Sequence, residues 1–196
     1  MKRFILILAI LMLSVGVGFA GEFYTAPNST ASQAFPPERG YPTINSISWT
    51  AGAATVDVLI LGGDNSKTVS AVGKAATATT FVLTSCTGID DNDYVVIEQT
   101  PTALTFEARV LEVGQASACN DTTELITLAA GTANAFNGTN GFSFYEMKTL
   151  ATLADIGTTK ITYTTGPLWG GRDGWPMGVV LNGTGGTIHW LSGEWR

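Results

Sequence analysis

From Ile47 onward the apolar residues of this chain alternate with polar ones at a period of two, the pattern of a strand with one face buried. Between 54 and 61, Val56, Val58 and Ile60 share one face while Thr55 and Asp57 share the other. The same pattern predicts strands over 67–72, 79–85, 94–99, 105–113, 124–129, 141–147, 160–165, 177–181 and 187–195. Glycine, aspartate and asparagine mark turns between them at Gly62-Gly63-Asp64-Asn65, Asp90-Asp91-Asn92-Asp93, 131–141 and Asn182-Gly183-Thr184-Gly185-Gly186. About ten short antiparallel strands at this spacing predict an all-β sandwich or barrel.

Two segments depart from the alternation. Met147, Leu150, Ala151 and Ala154 repeat at helical spacing ahead of Gly157, so 147–157 is expected to be one short helix or a linker. It would divide a main β domain, 46–146, from a C-terminal β unit, 158–196, packed on it. Residues 21–45 carry Pro27, Pro36, Pro37 and Pro42. Proline cannot donate to a central ladder, so this stretch is expected to be an extended arm. It serves either as a strap on its own surface or as a subunit-contact arm, with Phe23, Tyr24, Phe35 and Tyr41 as apolar anchors. On the second reading, removing the arm abolishes assembly.

Residues 1–20 join a basic start, Met1-Lys2-Arg3, to an apolar run from Phe4 to Phe19 with small residues at Gly18 and Ala20. That is the form of a secretory signal peptide, and the run is short for a membrane span, which needs about 20 apolar residues. The expectation is export to the periplasm, cell surface or medium, with no stable membrane insertion once the leader is cleaved and a retained apolar anchor as the alternative. Without Lys2 and Arg3 the chain carries 8 Lys+Arg against 16 Asp+Glu. An acidic surface of that kind excludes nucleic acid as a partner, because a phosphate backbone requires a basic face. Export also changes the reading of the two cysteines: Cys86 and Cys119 are expected to form a disulfide rather than a metal site.

Candidate chemistry is sparse. Trp169 and Trp175 flank Gly170-Gly171-Arg172-Asp173-Gly174, and this glycine-rich loop with Arg172 and Asp173 is the candidate ligand or subunit contact. Aromatic rings of this kind stack on sugars or fill protein interfaces. Trp190, in phase with Ile188, is expected to be buried. Asp90, Asp91 and Asp93 form a weak calcium candidate, since they lack the spacing of a twelve-residue calcium loop, and a polar turn is the competing reading. No other cofactor or metal is implied. The single histidine, His189, leaves no pairing for a serine or cysteine nucleophile. A glycoside-type pair would have to come from Glu98, Glu107, Glu112 or Asp57. The expectation is a non-enzymatic protein.

In its threonine-, alanine- and glycine-rich strands, its Asp93-Tyr94-Val95-Val96-Ile97 strand start and its proline-rich arm, the chain resembles exported bacterial surface subunits and phage virion decoration or fibre proteins. The likeness is compositional and transfers no site residue. Low charge, many β-forming residues and an arm predict a structural subunit whose main partner is itself, forming a surface layer, filament or particle coat. The alternative is a secreted carbohydrate-binding or adhesin module that presents the Trp169–Trp175 loop to a surface glycan.

Overall fold

The computed structural model describes residues 22–24, 28–37, 40–50, 57–70, 72–99, 109–136, 141–154, 161–183 and 185–196. For 22–24, 65, 66 and 161–170 the backbone alone is described. The leader at 1–20 lies outside these residues.

The described chain is all-β, with twelve strands in two sheets and no helix: β1 (Glu22–Tyr24), β2 (Gln33–Phe35), β3 (Pro42–Thr50), β4 (Asp57–Ser70), β5 (Thr80–Val82), β6 (Tyr94–Gln99), β7 (Val110–Asn120), β8 (Leu125–Leu128), β9 (Phe142–Leu153), β10 (Ile161–Gly170), β11 (Met177–Asn182) and β12 (Thr187–Trp195). One sheet has the order β1-β12-β3-β10 and the other β2-β11-β4-β9-β6-β7-β8-β5, and every pairing is antiparallel. Two sheets each apolar on one face bury those faces together. Ile44, Ile47 and Trp49 of β3 and Ile188, Leu191 and Trp195 of β12 meet Val58 and Ile60 of β4 and Met177 and Val179 of β11 in this layer.

The larger sheet is long enough to curl. β2 comes against β7, and a Cβ built at Gly178 on β11 would lie 3.4 Å from Val113 of β7, so the β2–β11 end of the sheet bends toward β7. Leu61, Val96, Tyr145, Met147 and Val180 fill the space enclosed. A further core lies under the β5–β8 end. There Phe81 meets Phe136, Phe142 and Phe144 with ring centroids 6.2, 5.8 and 5.3 Å apart, in the edge-on geometry that aromatic quadrupoles favour. Cys86 and Cys119 are disulfide-bonded at the margin of that core, as expected for the pair.

The expected strands recur with four differences. Gly62-Gly63-Asp64-Asn65 is not a turn: β4 runs through it from Asp57 to Ser70, with the register against β9 slipping between Gly63 and Lys67. The two glycines serve close approach instead. A Cβ at Gly62 would lie 2.6 Å from Leu150 Cδ1, and one at Gly63 would lie 2.5 Å from Trp175 Cε3.

The expected helix from Met147 is also absent, because β9 continues as a strand to Leu153. Ile60 pairs with Ala151 but Leu61 with Thr149, which leaves Leu150 as a bulge. One extra residue turns a period of two into an apparent i, i+3 spacing between Met147 and Leu150. The same device explains Trp190, which is 37% exposed rather than buried. Ile188 pairs with Trp49 and Trp190 with Ser48, so His189 is the extra residue and reverses the alternation.

The fourth difference concerns 21–45. Its described parts are joined to the sheets: β1 adds to β12, Ser29 bridges to Ile188, β2 adds to β11, and β3 is an interior strand. Phe23 and Tyr24 lie in β1, Phe35 is buried in the layer between the sheets, and Tyr41 is exposed. The C-terminal strands interleave with the rest of the chain, since β11 lies between β2 and β4 and β12 between β1 and β3.

The disulfide spans 33 residues. Closing a loop of that length restricts the unfolded chain by about 3.7 kcal/mol on the chain-entropy account. Replacing both cysteines by serine should lower the Tm by several degrees without changing the far-ultraviolet circular dichroism, and an unchanged Tm would show that the bond adds nothing to the fold.

Candidate functional site

The glycine-rich loop leaves β10 at Gly170 and returns as β11 at Met177. Gly171 donates its amide to the Pro42 carbonyl at 2.8 Å, which ties the loop to the start of β3. A turn then closes with Trp175 N–H on the Arg172 carbonyl at 3.1 Å, and Gly174 takes φ +69° at its corner. Asp173 Oδ1 accepts the Gly40 amide at 2.9 Å.

Trp175 folds down against the backbone of Gly63. The Arg172 guanidinium stacks on its ring, 4.5 Å from the centroid, and Arg172 Nη1 also donates to the Asp64 carbonyl. Tyr145 meets the same indole edge-on with centroids 5.3 Å apart. Lys67 Nζ lies 4.6 Å from the Tyr145 centroid, so cation, phenol, indole and guanidinium form one continuous line. Lys148 pairs with Asp64 at 3.3 Å beside it.

Beneath this line lies a buried carboxylate. Glu98 is in phase with Val96 and faces the enclosed space of the curled sheet, where Tyr145 Oη donates to its Oε2 at 3.0 Å and Arg109 Nε pairs with its Oε1 at 3.2 Å. A charge at this depth is tolerated only with such partners, and removing one leaves the other stranded. Burial, reinforced by the charge and hydrogen bond of Glu98, raises the Tyr145 hydroxyl well above the ordinary tyrosine range.

The structure thus brings Arg172, Asp173 and Trp175 together, and it adds Tyr145, Lys67 and the Glu98–Arg109 pair, which the sequence reading did not group with them. The Trp169 side chain is outside the described residues. Its backbone pairs with Ile44 in β3. Two signals pointed to the missed residues: a glutamate at an inward position of a Val-Val-Ile strand, and a glycine pair opposite the aromatic segment that contains Tyr145. Trp175 is half-buried, packed against Arg172, Tyr145 and the backbone at Gly63.

The other candidates separate. Asp90, Asp91 and Asp93 belong to a turn in which Asp93 Oδ2 accepts the Asp90 amide at 2.7 Å and Asn92 takes φ +75°. Asn92 N–H and the Asp93 carbonyl dock on Ala116 of β7, each at 2.8 Å. Among the described residues no three His, Cys, Asp or Glu side chains are placed to hold a metal ion. Glu112 clamps a loop by accepting the amides of Ala133 at 2.6 Å and Asn134 at 3.0 Å. Glu107 lies outside the described residues. His189 joins two segments, with Nε2 3.0 Å from Thr50 Oγ1 and Nδ1 2.8 Å from Asn28 Oδ1.

Two outcomes test this geometry. Trp175→Ala should cost about 3 kcal/mol, the range for loss of a packed large aromatic, read as a fall in Tm. An unchanged Tm would return the indole to free surface. Unfolded tyrosine titrates near pH 10. The folded chain therefore keeps the Tyr145 proton where the unfolded chain has lost it, and this contribution to stability is intact below about pH 10 and declines as pH rises further. The Tyr145→Phe protein should show a shallower alkaline decline than the parent, and equal slopes would contradict the assignment. Comparison with protein-family models, curated proteins and solved structures returns no match to this chain.

Proposed function

We propose that this protein is an exported, non-enzymatic structural subunit that assembles with copies of itself into a surface layer, filament or particle coat, of the bacterial surface or phage virion decoration or fibre type. The observation that carries this reading is the attachment of residues 22–35. They supply one three-residue strand to each sheet, on the same flank of both, and drive one apolar side chain, Phe35, into the core. The chain then passes Pro36 and Pro37 before it is pinned again at Gly40 and Tyr41, whose backbone pairs with Arg196. A covering strap with its own anchor and a proline-marked joint is the component that an arm-linked assembly requires.

The sequence supports the same reading through the leader, the disulfide and the acidic, weakly charged composition. The carbohydrate-binding alternative loses support from the packing of Trp175, whose ring lies against both Arg172 and the backbone at Gly63.

Light scattering behind size exclusion, with electron microscopy of the same fractions, tests the proposal. Particles of regular mass, many times that of one chain, are expected. A single-chain mass at every concentration up to hundreds of micromolar would overturn it.

A further inference from the structure

We infer that residues 22–35 exchange between copies, so that β1 of one copy lies on β12, and β2 on β11, of the next. The inference rests on the assembly reading above and specifies its contact.

Three features lead to it. First, the strand pairing of the segment is with the last two strands of the chain. Glu22, Phe23 and Tyr24 pair with Glu194, Gly193 and Ser192, and Gln33, Ala34 and Phe35 pair with Val179, Gly178 and Met177. Between them Ser29 exchanges both backbone bonds with Ile188 at 2.8 Å, and Asn28 reaches the His189 carbonyl at 3.2 Å and His189 Nδ1 at 2.8 Å. The receiving surface is the outer edges of β11 and β12, with β7 also against β2, and a segment from another copy can make the same set of bonds. Moving an identical element between identical sites changes no contact, which is what makes exchange a low-cost route to association.

Second, the pivot is marked. Pro36 and Pro37 cannot continue the β2 ladder and favour a stiff, extended path of about 3.1 Å per residue, which directs a segment away from the body it leaves. The body resumes at Gly40, where the amide is held by Asp173 and a Cβ would lie 2.5 Å from the Arg196 carbonyl oxygen. The segment before the prolines can thus move while the chain after them stays fixed.

Third, the segment cannot simply be left loose. Without it the outer edges of β11 and β12 would offer unpaired backbone groups side by side, and Phe35 would leave a void in the core between the sheets. Each flank must be filled, by its own segment or by that of a neighbour. One-way exchange then links copies in a series that closes into a ring or continues as a filament.

Cysteine trapping at paired positions tests the exchange in the full chain. Tyr24→Cys and Ser192→Cys variants are refolded together in equal amounts with the Cys86–Cys119 bond intact, assembled and mildly oxidised. Linked peptides are then identified by mass spectrometry. Exchange predicts covalent dimers joining position 24 of one chain to position 192 of the other, and a ladder of covalent multimers from the doubly substituted chain. If the doubly substituted chain assembles but links only within itself, exchange is wrong while the assembly reading stands. If it remains a single-chain species, both fail. Glu22→Cys with Glu194→Cys, a second register pair, gives the same readout should the first pair disturb folding.

Discussion

The structure depends on one buried layer, the apolar face that β3 and β12 present to β4 and β11. Ile44, Ile47, Trp49, Ile188 and Leu191 are fully or almost fully withdrawn from solvent there, and so are Val58, Ile60, Met177 and Val179 opposite them. Burial of side chains of this size contributes about 1.5–3 kcal/mol each against leaving them in water. The four strands come from both ends of the chain, which is why the C-terminal strands cannot be separated from the earlier ones. It is also why the segment at 22–35 lies where it does: β11 and β12 are the last strands on one flank, and their edges need a cover.

Most of the strands were legible because a half-buried sheet imposes a period of two on the sequence. The errors fall where a bulge breaks that period. Leu150 is an extra residue opposite Ile60 and Leu61, so a strand looked helical. His189 is an extra residue opposite Trp49 and Ser48, so a tryptophan expected inside stands outside. Gly62 and Gly63 looked like a turn because glycine serves two purposes, conformational freedom and close approach, and only the positions of Leu150 and Trp175 show that the second applies. None of these could be read from spacing alone, since each depends on the partner strand.

The loop at 171–176 shows the same limit. Its composition drew attention to Arg172, Asp173 and Trp175, but not to what each touches: Arg172 stacks on Trp175, whereas Asp173 holds the Gly40 amide. Trp175 closes over a sheet position left open by Gly63, and the stack continues through Tyr145 to buried Glu98 and its partly exposed partner Arg109. A buried carboxylate held by two partners restricts how the strands that carry it can pack. Among the described residues the exposed large aromatics lie elsewhere, at Tyr41 and at Trp190 beside the His189 bulge.

Native-state hydrogen exchange tests most directly whether one core holds the two sheets together while residues 22–35 act as a separate covering layer. The account predicts that the amides of Ile47, Trp49, Val58 and Ile60 exchange only through global opening, at a common free energy. Those of Ser29 and Gln33–Phe35 should exchange through a smaller, independent opening. Equal protection of the covering segment and the core, or different opening free energies for β3 and β4, would contradict it.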